Sequence, residues 1–193
     1  MKRFIFVAMV AATLAFAPKA EAAFITGGVS FGGAATPSGG ATWATATGVD
    51  FGNSSPNAAV TSGSGSYSGV PFLTPVTFTD FTFTPSLSPN PVSPLWTFVA
   101  NGLTYSFTMT GLGQIQQGFN NGSSFLLLHG TGMLSITGFQ DTPGIFDFSG
   151  QDSNLNFSFS ASNAAVPEPS SMILLGTGLL GLATIARRRL NKA

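Results

Sequence analysis

A serine with the spacing of a hydrolase nucleophile lies near the start of the chain. Residues 28–32 read Gly-Val-Ser-Phe-Gly and so match the Gly-x-Ser-x-Gly pattern around Ser30. That chemistry needs a strand before the serine, a helix after it and a histidine that accepts the hydroxyl proton. Residues 33–37 are small residues and a proline, which do not predict a helix. We therefore attribute the match to chance in a Gly- and Ser-rich sequence.

His129 is the single histidine of the chain, and cysteine is absent. One imidazole cannot form a multi-histidine zinc site, and thiolate ligands and thiol nucleophiles are excluded. The histidine follows the apolar residues 125–128 and precedes a glycine. We interpret it as a capping or edge residue of a strand.

The carboxylates between the two ends of the chain are all aspartates. They are Asp50, Asp80, Asp141, Asp147 and Asp152. Paired carboxylates for glycoside hydrolysis need different pKa values, and no Lys or Arg lies between residues 20 and 186 to shift them. No catalytic residue and no cofactor are predicted, and we expect that the protein is not an enzyme.

Residues 152–156 begin like a calcium-binding loop. Oxygen-bearing side chains alternate there, as at the start of an EF-hand loop. The EF-hand match fails because the sixth position lacks glycine and the twelfth lacks glutamate. Asp147, Asp152 and Asn154 stay as calcium candidates, and a polar turn that leads into a strand is the alternative.

The residues in the middle of the chain alternate between apolar and polar with a period of two. This period predicts antiparallel strands with their aromatic side chains inward and threonines outward. Asn101-Gly102 between two such runs predicts a hairpin with a type I′ turn. Residues 130–132, Gly-Thr-Gly, are expected to turn a second hairpin, and the change of phase at Asp80 is expected to be a bulge.

The predicted fold class is all-β, since helical spacing is missing between the two ends. We expect an antiparallel β-sandwich, with a partly open barrel as the alternative. Trp96 and Tyr105 lie at core-facing positions of the predicted hairpin. Trp43, in a Gly-, Ser- and Thr-rich region, is predicted to be exposed and able to stack on a sugar ring.

The charges of the chain are separated along the sequence. All seven Lys and Arg lie near the ends, so the region between them carries five aspartates and no basic side chain. Nucleic acid is excluded as a partner because nothing there neutralises phosphate. Direct capture of an acidic polysaccharide is disfavoured for the same reason, unless a cation intervenes.

The amino terminus has the pattern of a secretory signal peptide. A basic start precedes the apolar residues 4–17, and a proline then ends the run. Ala20 and Ala22 form the small-x-small pattern that signal peptidase recognises, so we place the mature terminus at Ala23. Residues 1–22 are predicted to be the signal peptide, and an uncleaved anchor is the alternative.

The carboxyl terminus combines a proline motif, an apolar run and a basic cluster. Residues 170–186 carry no charge and would give roughly 25 Å of helix, which spans a bilayer marginally. The basic cluster is predicted to hold its end in the cytoplasm. The motif residues are Val166, Pro167, Glu168 and Pro169, and the membrane-stop residues are Arg187, Arg188 and Arg189.

Together with the signal peptide, these residues resemble the PEP-CTERM family of exported bacterial proteins. The resemblance implies that an exosortase, a membrane-embedded cysteine protease, recognises the tail and cuts at residues 166–169. It also implies a Gram-negative host that makes exopolysaccharide. Residues 138–151 are similar to the distal ectodomain of many small members, which supports the fold and implies no reaction.

Three segments follow from these predictions: a signal peptide (1–22), an exported β-rich ectodomain (23–163) and a sorting segment (164–193) that ends in a basic tail (187–193). We expect an inner-membrane intermediate with the ectodomain outside the cytoplasm, then a surface or extracellular-matrix protein. Its ectodomain would be structural and associated with exopolysaccharide or biofilm. A carbohydrate-binding or adhesive module, assisted by calcium, is the alternative. The expected partners are signal peptidase, exosortase, the membrane and exopolysaccharide.

Overall fold

A computed structural model describes residues 22–52, 54–151 and 154–162, the last of these by their backbone. The predicted sorting segment and nearly all of the predicted signal peptide lie outside these ranges. Within them, no helix has the length and apolar character needed to cross a bilayer.

The described chain folds into eleven strands and two single turns of 3₁₀ helix, Trp43–Thr45 and Gly65–Tyr67. The strands are β1 (Val29–Gly33), β2 (Thr36–Ser38), β3 (Gly48–Asp50), β4 (Ala58–Gly63), β5 (Pro75–Phe78), β6 (Phe81–Thr82), β7 (Val92–Ala100), β8 (Leu103–Asn120), β9 (Ser123–Ile136), β10 (Thr142–Gln151) and β11 (Asn154–Ser162).

Eight of these strands form one curled antiparallel sheet. Its order is β1-β11-β10-β9-β8-β7-β5-β4, and β4 pairs back to β1. The long strands β7 to β11 form most of the wall, whereas β1 meets β11 only at Ser30↔Ser160 and Phe31↔Phe159. A separate small sheet has the order β2-β3-β6.

The predicted antiparallel all-β class is confirmed, but the sandwich of two facing sheets is wrong. The main sheet curls on itself, which is closer to the barrel alternative. Bulges interrupt the register of β8 between Met109 and Gly111 and between Leu112 and Gln114. Because bulges increase the twist and bend of a long strand, they help to curl this sheet into a ring.

The hairpin predicted at Asn101-Gly102 is confirmed. Asn101 has φ 53° and Gly102 has φ 75°, and a type I′ turn needs positive φ at both positions. A second Asn-Gly pair turns β8 into β9, with φ 51° at Asn121 and 86° at Gly122. The same sequence signal was present there and would have predicted this hairpin.

The second hairpin predicted at residues 130–132 is wrong, because β9 runs straight through them. Gly130 and Gly132 both face the interior. The ring of Phe146 lies against Gly130 and the ring of Phe107 against Gly132, each too close to leave space for a Cβ atom. These glycines make room for aromatic rings and do not turn the chain.

The bulge predicted at Asp80 is also wrong, because the chain changes sheet there. It leaves the curled sheet at the end of β5 and enters the small sheet at β6. The Asp80 carboxylate accepts a hydrogen bond from the Phe51 backbone N–H at 2.7 Å. The shift in the alternation of apolar residues at Asp80 therefore marks the point where the chain passes from one sheet to the other.

The interior is rich in aromatic side chains, as the alternation predicted. Trp96 and Tyr105 are buried, which confirms their core-facing assignment. The exposed position predicted for Trp43 is wrong, since only 3% of it is accessible. Its ring packs against Phe148 and Gly150, and its backbone N–H donates to the buried Ser124 Oγ at 3.1 Å. Trp43 is therefore withdrawn as a sugar-stacking residue.

Candidate binding surface on β8, β9 and β10

Polar side chains line up across three neighbouring strands on the outer face of the curled sheet. Gln114 of β8 lies opposite His129 of β9, which lies opposite Asp147 of β10. Directly opposed residues of an antiparallel pair point to the same face. The adjacent row on this face consists of Gln116, Leu127 and Ser149.

His129 and Asp147 form a hydrogen-bonded pair on this face. The imidazole Nδ1 lies 2.7 Å from the Asp147 Oδ1, and both side chains are solvent-exposed. An ionised carboxylate can only accept, so the His129 Nδ1–H donates and the Nε2 atom is left for another partner. Among the described side chains, Asp147 is the only polar partner of this ring.

A shallow groove follows these rows. A hollow of about 290 Å³ lies over Gln114, His129 and Asp147, and a second of about 490 Å³ extends it over Phe125. The two hollows share Gln116 and Leu127. We call this surface the outer groove, and its defining residues are Gln114, Gln116, Phe125, Leu127, His129 and Asp147.

The side chains of the outer groove fit an uncharged, hydroxyl-rich ligand. Each glutamine amide supplies both donors and an acceptor, and the Nε2 atom of the imidazole adds one more polar atom. Phe125 and Leu127 add apolar surface that the C–H face of a sugar could contact. No lysine or arginine is available in residues 20–186 to bind an anionic group.

The comparisons with known proteins concern the carboxyl end of the chain. Residues 165–189 match the family model of the PEP-CTERM protein-sorting motif. The chain carries a PEP-CTERM sorting motif. This confirms the resemblance based on residues 166–169 and the arginine cluster. No curated protein and no solved structure matches the chain.

A PEP-CTERM motif marks an exported protein that an exosortase processes at the membrane on its way to the cell surface. The motif residues (Val166, Pro167, Glu168 and Pro169) and the membrane-stop residues (Arg187, Arg188 and Arg189) lie outside the described residues. Their individual roles stay predictions. The exosortase is the partner that the match supports.

The signal peptidase site predicted upstream of the PEP-CTERM motif lies at the edge of the described chain. Ala20 is outside it, whereas Ala22 and Ala23 are exposed at its start. The Ala23 carbonyl already accepts a hydrogen bond from the Gln140 N–H at 3.0 Å. Ala23 is thus hydrogen-bonded to the described body, and the cleavage site before it stays a prediction.

The described part of the chain does not show the calcium candidates next to one another. No group of three His, Asp or Glu that could hold a metal ion occurs among them. Asp147 contacts His129, Asp152 lies outside the description, and Asn154 is described by its backbone. Calcium binding therefore stays a prediction.

The hydrolase-like serine lies in a setting that does not fit a nucleophile elbow. Ser30 is inside β1, where it pairs with Ser62 of β4 and Ser160 of β11. The element that follows is another strand, β2. A nucleophile elbow needs a helix at that point.

Proposed function

We propose that the protein is a non-enzymatic component of the cell surface or extracellular matrix of a Gram-negative bacterium that produces exopolysaccharide. An exosortase would free its ectodomain from a membrane-held precursor. The match of residues 165–189 to the PEP-CTERM motif carries this proposal. The signal peptide pattern at residues 1–22 supports it, because only an exported chain presents its tail to a protease outside the cytoplasm.

Each part of the tail has a physical role in this proposal. Pro167 and Pro169 fix φ and disfavour helix in the residues before them, so the protease meets an extended segment. Residues 170–186 would insert as a helix, and the arginines after them would stay on the cytoplasmic side. Cutting near residues 166–169 would separate the ectodomain from this anchor.

The sorting proposal is tested by replacing Pro167, Glu168 and Pro169 with alanine and fractionating the cells. We expect the variant to accumulate in the inner membrane at the mass of the uncleaved precursor. The control replaces the adjacent Ser170 and Ser171 with alanine, which leaves the motif intact. Release of the triple variant at the rate of the control would contradict the proposal.

The outer groove favours a second candidate function, the binding of a neutral polysaccharide. Amide, imidazole and carboxylate groups lie along one face of the sheet, and apolar side chains lie between them. This arrangement provides hydrogen bonds and apolar contact without net positive charge. The ligand that fits is a sugar chain with hydroxyl groups and no acidic groups.

A glycan array tests this candidate with the purified protein, with and without a calcium chelator. Binding of neutral glycans in both conditions would support the outer groove as the site. Binding that the chelator removes would point to the calcium-assisted alternative. Absence of binding in both conditions would leave the structural function alone.

A further inference from the structure

Both ends of the described chain lie at one end of the curled sheet. This end of the sheet contains the Asn101-Gly102 turn, which joins β7 to β8. The strand pairings show which residues of the neighbouring strands lie at the same end. We call this end of the sheet the terminal end. The register pairs that define it are Tyr105↔Ile136, Leu134↔Thr142 and Ile145↔Ser162. Ala23 belongs to it as well, through its hydrogen bond to Gln140.

Exposed apolar side chains gather at the terminal end. Phe72 is 70% and Leu73 is 61% accessible, and both lie in the loop that Asn101 holds by donating to the Gly69 carbonyl at 2.8 Å. Val99, which lies two residues before the turn, is 65% accessible. Continued by two residues from Thr77↔Thr97, the register of β5 with β7 places Pro75, two residues after Leu73, level with Val99.

Hydrogen bonds hold the backbone of this loop. Leu73 has φ 63°, a left-handed conformation that costs a residue with a Cβ atom about 1–2 kcal/mol. Its N–H donates to the Val60 carbonyl at 2.9 Å, and the Thr74 hydroxyl donates to the Pro71 carbonyl at 2.7 Å. Single exposed apolar residues are common, but a strained and hydrogen-bonded loop that presents two together indicates a contact surface.

The last described residue lies at the terminal end, a few residues before the predicted membrane anchor. β11 ends at Ser162, and only residues 163–169 separate it from the apolar run that begins at residue 170. Seven residues reach about 25 Å at most when fully extended. In the membrane-held precursor of the proposed function, this length would keep Ser162 within about 25 Å of the start of the apolar run.

We propose that Phe72, Leu73 and Val99 insert into the outer surface of the bilayer that holds the uncut tail. The proposal rests on the membrane-held precursor of the proposed function. The terminal end carries the exposed Asp141 and no basic side chain, so the contact would depend on apolar side chains and not on attraction to anionic lipid. A few apolar side chains bind a bilayer weakly, but the short tether raises their local concentration there. Cutting the tail removes the tether, so the ectodomain then leaves the membrane.

The absence of cysteine makes single-site labelling a direct test. Full-length Leu73→Cys and Val99→Cys variants are labelled with an environment-sensitive fluorophore and reconstituted into phosphatidylcholine vesicles that contain nitroxide-labelled lipid. The matched control is Phe119→Cys, which is 63% accessible and lies next to the Asn121-Gly122 turn at the opposite end. We expect quenching and a blue shift at positions 73 and 99 and neither at position 119.

A Leu179→Cys variant separates this inference from the proposed function. Quenching at position 179 with equal, unquenched signals at 73, 99 and 119 would overturn the lipid contact and leave the membrane-held precursor intact. Absence of quenching at position 179 would overturn both. Shielding of positions 73 and 99 only when an exosortase is added would also overturn the lipid contact, because the loop would then bind protein.

Discussion

The ring of Phe146 lies against the α-carbon of Gly130, directly across the β9–β10 pair on the inner side of the sheet. The Gly111 carbonyl of β8 approaches the same position from the other side. A Cβ atom at Gly130 would clash with both the buried ring and the backbone carbonyl. The glycine is therefore fixed by the packing of the neighbouring strands.

We expect Gly130→Ala to lower the free energy of unfolding by about 1–3 kcal/mol, as overpacked cores do. Gly113→Ala is the matched control, because a Cβ there meets only ordinary contacts with His129 at 3.8–3.9 Å. Urea unfolding of both variants measures the difference. Equal midpoints for the two variants would show that the interior near Phe146 can rearrange freely.

Local sequence patterns predicted some of these strands and misplaced others for an identifiable reason. Asn101-Gly102 was correct because a type I′ turn depends on two neighbouring residues. Gly130 was misread because its role depends on Phe146, a ring on the next strand, and no local pattern distinguishes a turn glycine from one that makes room for a ring. Trp43 was misplaced in the same way, since its partner Gly150 is far away in sequence.

The Asp80 carboxylate fixes the point where the chain passes from the curled sheet to the small sheet. We expect Asp80→Ala to lower the free energy of unfolding by about 1–3 kcal/mol, because the hydrogen bond from the N–H of the buried Phe51 to this carboxylate is lost. Asp80→Asn keeps an oxygen acceptor and should lose less. Asp141→Ala, at an exposed site, is the control. A loss as small for Asp80→Ala as for this control would contradict the prediction.

The burial of Tyr67 is expected to make the folded protein less stable at alkaline pH. Its side chain is fully buried, and its hydroxyl has no hydrogen-bond partner among the described residues. Burial raises the pKa of Tyr67 above its ordinary value, and the nearby Tyr105 adds to the increase. The unfolded chain releases this proton near pH 10 while the folded chain retains it. The free energy of unfolding should therefore be unaffected by this group below about pH 10 and should fall as the pH rises above it.

Tyr67→Phe tests this prediction, because it removes the phenol and keeps the ring. We expect the variant to be more stable than the wild type by about 1 kcal/mol at pH 7, since an unpartnered buried hydroxyl is lost. Its advantage should grow between pH 10 and pH 11 in urea unfolding. A difference that does not change with pH would mean that Tyr67 ionises without unfolding.

The outer groove could be predicted only in part from the sequence. The composition excluded nucleic acid as a partner and excluded multi-histidine and thiolate metal sites. The structure adds a contact between two side chains that the sequence did not indicate. His129 and Asp147 are 18 residues apart, and they meet because a turn after β9 sets the register of β10. Placing the hairpin turn after Ile136 instead of at residues 130–132 would have placed the two side chains opposite each other.

Removing the outer-groove amides tests whether this surface binds sugar. We expect Gln114→Ala together with Gln116→Ala to weaken binding to neutral glycan at least tenfold, because a lost pair of hydrogen bonds costs about 1.4 kcal/mol or more. Gln140→Ala, at an exposed site in the segment between β9 and β10, is the matched control. Isothermal titration with the array's best neutral glycan measures the affinity, and urea unfolding checks that the fold is unchanged. Equal affinities for the double variant and the control would place the glycan elsewhere on the protein.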